Sequence, residues 1–298
     1  MFFKKVNKSE NMKFSQKKKR KKKIDYVGII ITFGLTILAF ITIFPVVNLL
    51  MVSLSDANFA ANVFLLPIGL NFDSYSYIFA KDNLFTSLLI STLRVIVGTA
   101  LQTVVAVFVA YALSKNFKGR TLYAWFFFLG MIFDGGVIPF YMLVRGLGMY
   151  NTFASLVIPS TVQVFNIILL TNFFKELPKE IEESASMDGA NPISVLFKIV
   201  LPMSKPVLAT SIILSMVGHW NAWLDGVMFI SLPDNYPLAT LIQAFITGGN
   251  IGSNYPERVS GTTANAALVI FGMLPMVIAY PFLQKYFKKG MLIGGVKG

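Results

Sequence analysis

Long uncharged stretches alternate with short clusters of charge along this chain, and their lengths set the first expectation. Six apolar segments lie at about 26–53, 85–114, 121–144, 152–174, 205–231 and 262–287. A bilayer's hydrocarbon core, about 30 Å thick, takes roughly 20 helical residues at about 1.5 Å each. Each segment is long enough to cross it as a helix. Pro139, Pro159, Pro275 and Pro281 fall inside these segments, which a bundle tolerates where neighbouring helices or water satisfy the freed backbone groups. Gly98, Ala106, Ala110 and Ala112 suit close helix packing in the second segment.

Composition agrees. Of 298 residues, 55% are hydrophobic and 13% charged, whereas a soluble domain carries about 25% charged residues. Too little polar surface is available for soluble domains, and disorder needs low hydrophobicity. Cysteine is absent and His219 is the one histidine. This excludes a disulfide framework, thiolate chemistry and a Cys- or His-rich metal site. The first segment follows a basic stretch, as a signal peptide would. Its uncharged run is nearly twice the length of a signal h-region, so a retained span is expected.

The formal net charge of +12 is local. Residues 1–23 hold eleven Lys and Arg against one acid, Glu10. Such a tail fits nucleic acid or an anionic membrane leaflet. The apolar span that follows at once favours the leaflet. With the N-terminus inside, 22 of the 26 Lys and Arg are cytoplasmic, and only Lys81, Arg145 and Arg258 lie outside. The expectation is an all-α multi-pass protein of the cell membrane with six spans and both termini cytoplasmic. It divides into a basic tail, 1–24, and a membrane domain, 25–298. No internal repeat is visible, which weakens a carrier built from duplicated halves.

The loop between the fourth and fifth segments is the most informative. Pro178 suits the first position of a short helix, and Glu180, Glu182 and Glu183 crowd its first turn, where the helix dipole favours carboxylates. Gly189 suits its end, Asn191-Pro192 a turn before a second helix, and Leu201-Pro202 a break before the fifth span. By charge alone this is either a solvated connector or a surface helix gripped by another protein. The spacing Glu183-x-Ala185-x-x-Asp188-Gly189-Ala190, with Pro202 thirteen residues after Gly189, resembles the "EAA" cytoplasmic loop of ABC-importer permeases. Here the family's Glu-Ala-Ala stands as Glu183-Ser184-Ala185.

The resemblance runs over roughly 45–298 and is to permeases of the carbohydrate-uptake type. Ala110-Tyr-Ala-Leu-Ser114, Phe117-Lys-Gly-Arg120, Ile138-Pro-Phe-Tyr141, Gly148-Met-Tyr-Asn-Thr152 and Trp220-Asn-Ala-Trp223 also carry it. His219-Trp220-Asn221 with Asp225-Gly226 looks most like the LplC-like branch that handles complex carbohydrates or polysaccharide fragments. The resemblance implies a type I importer permease fold. It implies a second permease subunit, two cytoplasmic ATPase subunits, an extracellular solute-binding protein and a sugar substrate, with no nucleic acid. Glu182, Glu183, Ala185, Asp188, Gly189, Ala190 and Pro202 would form the coupling region near 179–190 and just beyond it. The chain holds no G-x-x-x-x-G-K-[ST] phosphate loop. It is expected to be no enzyme itself and to bind no cofactor, with ATP and magnesium held by the partner ATPase.

Ionisable residues within apolar segments need a partner or water, since a charge there costs about 2.5–3.5 kcal/mol on insertion scales. Arg94, Asp134, His219 and Asp225 are such residues, and Asp134 precedes Gly135-Gly136, where a broken helix would line a cavity. With Trp220, Asn221 and Trp223 they make a candidate translocation pathway, because sugars are bound by aromatic faces, amides and carboxylates. Other roles stay open. The tryptophans suit an interfacial belt, His219 suits packing, and Arg94 has Asp134 as one possible ion-pair partner. An ion-coupled secondary carrier is the alternative function.

Overall fold

The computed structural model describes residues 26–248 and 255–294, with side chains described as far as 281. The basic tail expected at 1–24 and the C-terminal lysine side chains lie outside these limits. Contacts divide the chain into two units, Met1–Val47 and Asn48–Gly298. The described residues contain no strand.

In the first unit, the described residues belong to α1 (Tyr26–Ser53). They are apolar on every side, and their large side chains, Ile30 and Phe40 among them, are exposed. A helix of this kind suits a lipid surround. Thr32, Thr36 and Thr42 direct their hydroxyls to carbonyls four residues back, so these groups are satisfied within the helix.

The second unit is built around α3 (Asp82–Ser114). Its buried positions, Leu84, Ser87, Ser91, Arg94, Gly98, Gln102, Ala106, Ala110 and Leu113, recur every three or four residues. They form one stripe along the helix, rich in small and polar side chains that admit neighbours closely. Ala112 falls off this stripe and is exposed. One end of α3 packs with α7 (Val164–Glu176) around Ile167, Leu170 and Phe174. The other end packs with α2 (Asp73–Phe79), α13 (Leu238–Ile246) and α14 (Gly261–Gly294) around Ile78, Leu241 and Leu268.

Three of the six apolar segments are single long helices: α1, α3 and the stretch Gly261–Pro281 of α14 are each long and apolar enough to cross a membrane. The other three are interrupted. The third is α4 (Arg120–Ile132) and α5 (Val137–Gly146), bent by 114° at Asp134-Gly135-Gly136. Gly136 adopts φ +86° there and donates its N–H to Asp134 Oδ1 at 2.8 Å. The fourth is a single turn, α6 (Ala154–Val157), separated from α7 by a stretch containing Pro159. There Gln102 Nε2 donates to the Ser160 carbonyl at 2.8 Å, satisfying a group that the broken helix leaves free.

The fifth is α11 (Lys205–Asn221) and α12 (Leu224–Phe229), parted at Ala222-Trp223. Before α11 run α8 (Lys179–Met187), α9 (Pro192–Val195), a π-helical turn Leu196–Val200, and α10 (Leu201–Met203). Pro202 does not break this run. The π turn ahead of it accommodates the missing N–H, and the 86° bend comes at Ser204. Counting each bent pair as one crossing gives up to five candidate spans among the described residues.

Candidate functional sites: a cleft between broken helices and an acidic surface helix

The breaks of the third and fifth segments face each other. Asp134, Gly136, Val137 and Phe140 line one side of an open cleft of about 390 Å³, and Asn221 to Asp225 with Met228 line the other. Backbone groups released by the fifth-segment break are satisfied from afar. The Ala222 carbonyl accepts Arg94 Nη1 at 3.0 Å, and the Trp223 carbonyl accepts Thr240 Oγ1 at 2.9 Å. Arg94 therefore places its charge at the C-terminus of α11, where the helix dipole favours a cation.

The same guanidinium grips Asp225 with both terminal nitrogens, Nη1 to Oδ1 at 3.1 Å and Nη2 to Oδ2. Asp225 also accepts the Gly226 N–H at 2.9 Å, in the first turn of α12. One ion pair thus joins the two halves of the broken helix. Arg94 is 1% exposed and Asp225 21%, so the pair is reached from its acidic side. Arg94 pairs with Asp225 rather than Asp134, because the Ala222-Trp223 break turns Asp225 toward α3. Asp134 is exposed and makes no ion pair among the described residues.

Of the candidate pathway residues, Asp134, Asn221, Trp223 and Asp225 share the cleft. Trp220 does not line it. Its ring packs with the Leu238–Leu268 cluster, and Nε1 donates to the Gly272 carbonyl at 3.3 Å. His219 is buried against α3, its ring filling the space above Gly98. The cleft offers an aromatic face, an amide and two carboxylates, a set that suits hydroxyl-rich ligands.

The second site lies past the other end of α3. Pro178 takes the N-cap position of α8, one residue earlier than its sequence context suggests. The helix closes on Gly189 at φ +82°, with Gly189 N donating to the Ser186 carbonyl at 3.1 Å and Ala190 N to the Ala185 carbonyl at 3.0 Å. This is the paired closure that a left-handed residue permits, and glycine reaches it without strain. Asn191 then accepts the Ser194 N–H at 2.7 Å, and Pro192 opens α9.

Glu182 and Ala185, three apart, face the bundle. Ala185 and Ala190 pack against the Ile167–Val200 cluster, and Glu182 forms an ion pair with Lys115 just beyond α3. Desolvation holds the Lys115 ammonium below the ordinary lysine value. Glu183, Met187, Asp188 and Gly189 face outward, and Met187 is 90% exposed. The helix is fixed on one side and open on the other. Pro202, expected with this group, lies beyond it in α10.

Residues 102–293 match the family of binding-protein-dependent transport system inner membrane components. The chain belongs to this family. The permease is 32% identical over 273 residues to the polygalacturonan/rhamnogalacturonan transport system permease YtcP of Bacillus subtilis (strain 168), covering 89% of this chain and 96% of that one. It is 36% identical over 268 residues to protein LplC of the same organism, covering 87% and 90%. A crystal structure of a bacterial ABC transporter involved in importing the acidic polysaccharide alginate contains a chain that superposes with TM-score 0.81 at 29% identity, covering 88% and 96%. The ABC-importer permease resemblance seen in the loop is thereby a family relationship, and the permease is a multi-pass inner membrane component.

Two participants had no local signal. Lys115 is separated from Glu182 by 67 positions, so their pairing is invisible to spacing. Gln102 reads as an ordinary polar residue in an apolar helix until Ser160 is placed beside it.

Proposed function

We propose that this permease is one of two membrane subunits of an ATP-driven importer of oligosaccharides or polysaccharide fragments. It crosses the membrane six times with both termini cytoplasmic and docks α8 on a cytoplasmic ATPase. A solute-binding protein delivers the sugar outside. This chain binds no cofactor of its own; ATP and magnesium belong to the ATPase. The observation that carries the reading is the two-sided construction of α8. Glu182 and Ala185 anchor it, while Glu183, Met187 and Asp188 remain open to a partner. A helix with one anchored face and one open face transmits force instead of yielding to it. The carbohydrate class is supported by the names of the relatives and by Trp223, Asn221, Asp134 and Asp225 around the cleft.

The test is the purified assembly carrying Glu183→Lys, with sugar-stimulated ATP turnover as readout. Loss of stimulation with normal membrane insertion is expected; unchanged stimulation refutes docking through this face. Uptake into vesicles that needs an ion gradient and ignores ATP would establish the secondary carrier instead. Co-purification of an ATPase with the wild-type chain, and its loss with Glu183→Lys, completes the case.

A further inference from the structure

A groove runs between α4 and α7, away from the translocation cleft. Arg120, Thr121, Ala124, Trp125 and Phe128 line it from one helix, and Ile167, Ile168, Thr171 and Lys175 from the other. Neighbouring positions on each helix are one, three or four apart, so both present one face to the groove. No residue of α4 is buried, and among the described residues of the second unit the channel stays open. Past Phe127 a second hollow continues the seam to Phe133 and Val162. From Arg120 to Phe133 the seam is about 20 Å long at about 1.5 Å per residue. One leaflet of a hydrocarbon core about 30 Å thick is about 15 Å deep, so the seam is long enough to span it.

The polarity is one-sided. Arg120 opens α4 and Lys175 lies in the last turn of α7, so both cations stand at the same end. Desolvation and then the charge of Arg120 hold Lys175 below the ordinary lysine value, which marks two cations facing each other. Among the described residues neither belongs to an ion pair. Both also line a cavity of about 970 Å³ beyond the groove, with Lys115 and Lys179. Its acids are Glu182, already paired with Lys115, and Glu183.

We infer that this groove is a binding site for one anionic phospholipid, its acyl chain between α4 and α7 and its phosphate between Arg120 and Lys175. Leaflet-deep apolar length favours a lipid over a soluble anion, and the paired cations favour an anionic head group over a zwitterionic one. A segment of another protein would need acids at one end only.

Trp125 lies in the groove and reports on it directly. The assembled transporter carrying Trp220→Phe and Trp223→Phe has Trp125 as its only tryptophan in this chain; the fluorescence of the same assembly with Trp125→Phe is subtracted. It is placed in vesicles of phosphatidylcholine containing either dibromo-acyl phosphatidylglycerol or dibromo-acyl phosphatidylcholine. Quenching by the glycerol lipid is expected at about tenfold lower mole fraction. That preference should vanish with Arg120→Gln/Lys175→Gln and persist with Arg120→Lys/Lys175→Arg. Equal quenching by both lipids overturns the proposal, as does a preference that survives the glutamine pair. Absence of quenching by either lipid means that protein covers the groove, and also overturns it. A Trp125 response to inorganic phosphate equal to that with lipid would assign the cations to a soluble anion.

Discussion

Arg94 lies on α3 and Lys115 caps the end of the same helix, about 30 Å away along its axis. Arg94 joins the halves of the broken fifth segment, and Lys115 holds α8 through Glu182. The cleft and the surface helix are therefore two ends of one rod, so a push at α8 has a physical route to the break that shapes the cleft. Lys115 is 38% exposed, and a pair this wet contributes only about 0–1 kcal/mol to stability. Its breakage should spare the fold and harm the coupling. Lys115→Glu or Glu182→Lys is expected to lower sugar-stimulated ATP turnover by about 2- to 30-fold, with thermal stability nearly unchanged. The double exchange Lys115→Glu/Glu182→Lys should recover much of the loss. Equal turnover in all four proteins would show that the pair does not orient α8.

The Arg94–Asp225 pair is predicted to be asymmetric. Removing one partner of a buried pair costs about 3–5 kcal/mol when the other charge is left uncompensated. Asp225→Asn leaves a guanidinium that is 1% exposed, holding the Ala222 carbonyl and a neutral amide. Arg94→Met leaves a carboxylate that opens onto the cleft and can take up water. Asp225→Asn should therefore lower the thermal midpoint more than Arg94→Met, measured on the purified protein in one detergent. The reverse order would mean that the cleft is dry at Asp225.

The apolar segments located the helices far better than their breaks. Segments at 26–53, 85–114 and 262–287 correspond to α1, α3 and α14, helices that run unbroken even across Pro45, Pro275 and Pro281. The turn at Asp134-Gly135-Gly136 has a local signature, a glycine pair behind a carboxylate that accepts its N–H. The break at Ala222-Trp223 has none. Neither residue disfavours a helix strongly, and the carbonyls it frees are held by Arg94 and Thr240, far away in sequence. On α8 the closing glycine was visible from spacing, since a left-handed position selects glycine. The division of its acids was not, because Glu182 turns inward only in answer to Lys115.

Close approach of α3 and α11 rests on Gly98. A Cβ there would stand 2.5–2.8 Å from three ring atoms of His219, too near for contact without movement. Gly98→Ala is expected to destabilise the protein by about 1–3 kcal/mol through overpacking. His219→Ala should cost stability through the cavity it leaves, and the double substitution should cost less than the sum. The coupling, read from thermal or denaturant midpoints of the four proteins, should be at least about 0.5 kcal/mol. Additive losses would mean that α11 moves away from α3 freely.

Trp220 and Trp223 are three residues apart and are predicted to fail in different ways. Trp220 is packed among Leu238, Leu241 and Leu268 and donates to the Gly272 carbonyl. Truncation to alanine removes a large packed ring and leaves that carbonyl without its donor, a loss of about 3–5 kcal/mol. Trp223 is 41% exposed on the wall of the cleft, and its structural bond to Thr240 runs through its backbone carbonyl, which alanine keeps. Trp220→Ala should thus lower expression and uptake in parallel, whereas Trp223→Ala should leave expression nearly intact and lower uptake per molecule of transporter. The deciding measurement is initial uptake rate normalised to the amount of protein in the membrane. A normalised rate that falls for Trp220→Ala and holds for Trp223→Ala would place the ligand-contacting ring on the α14 side of the helix, away from the cleft.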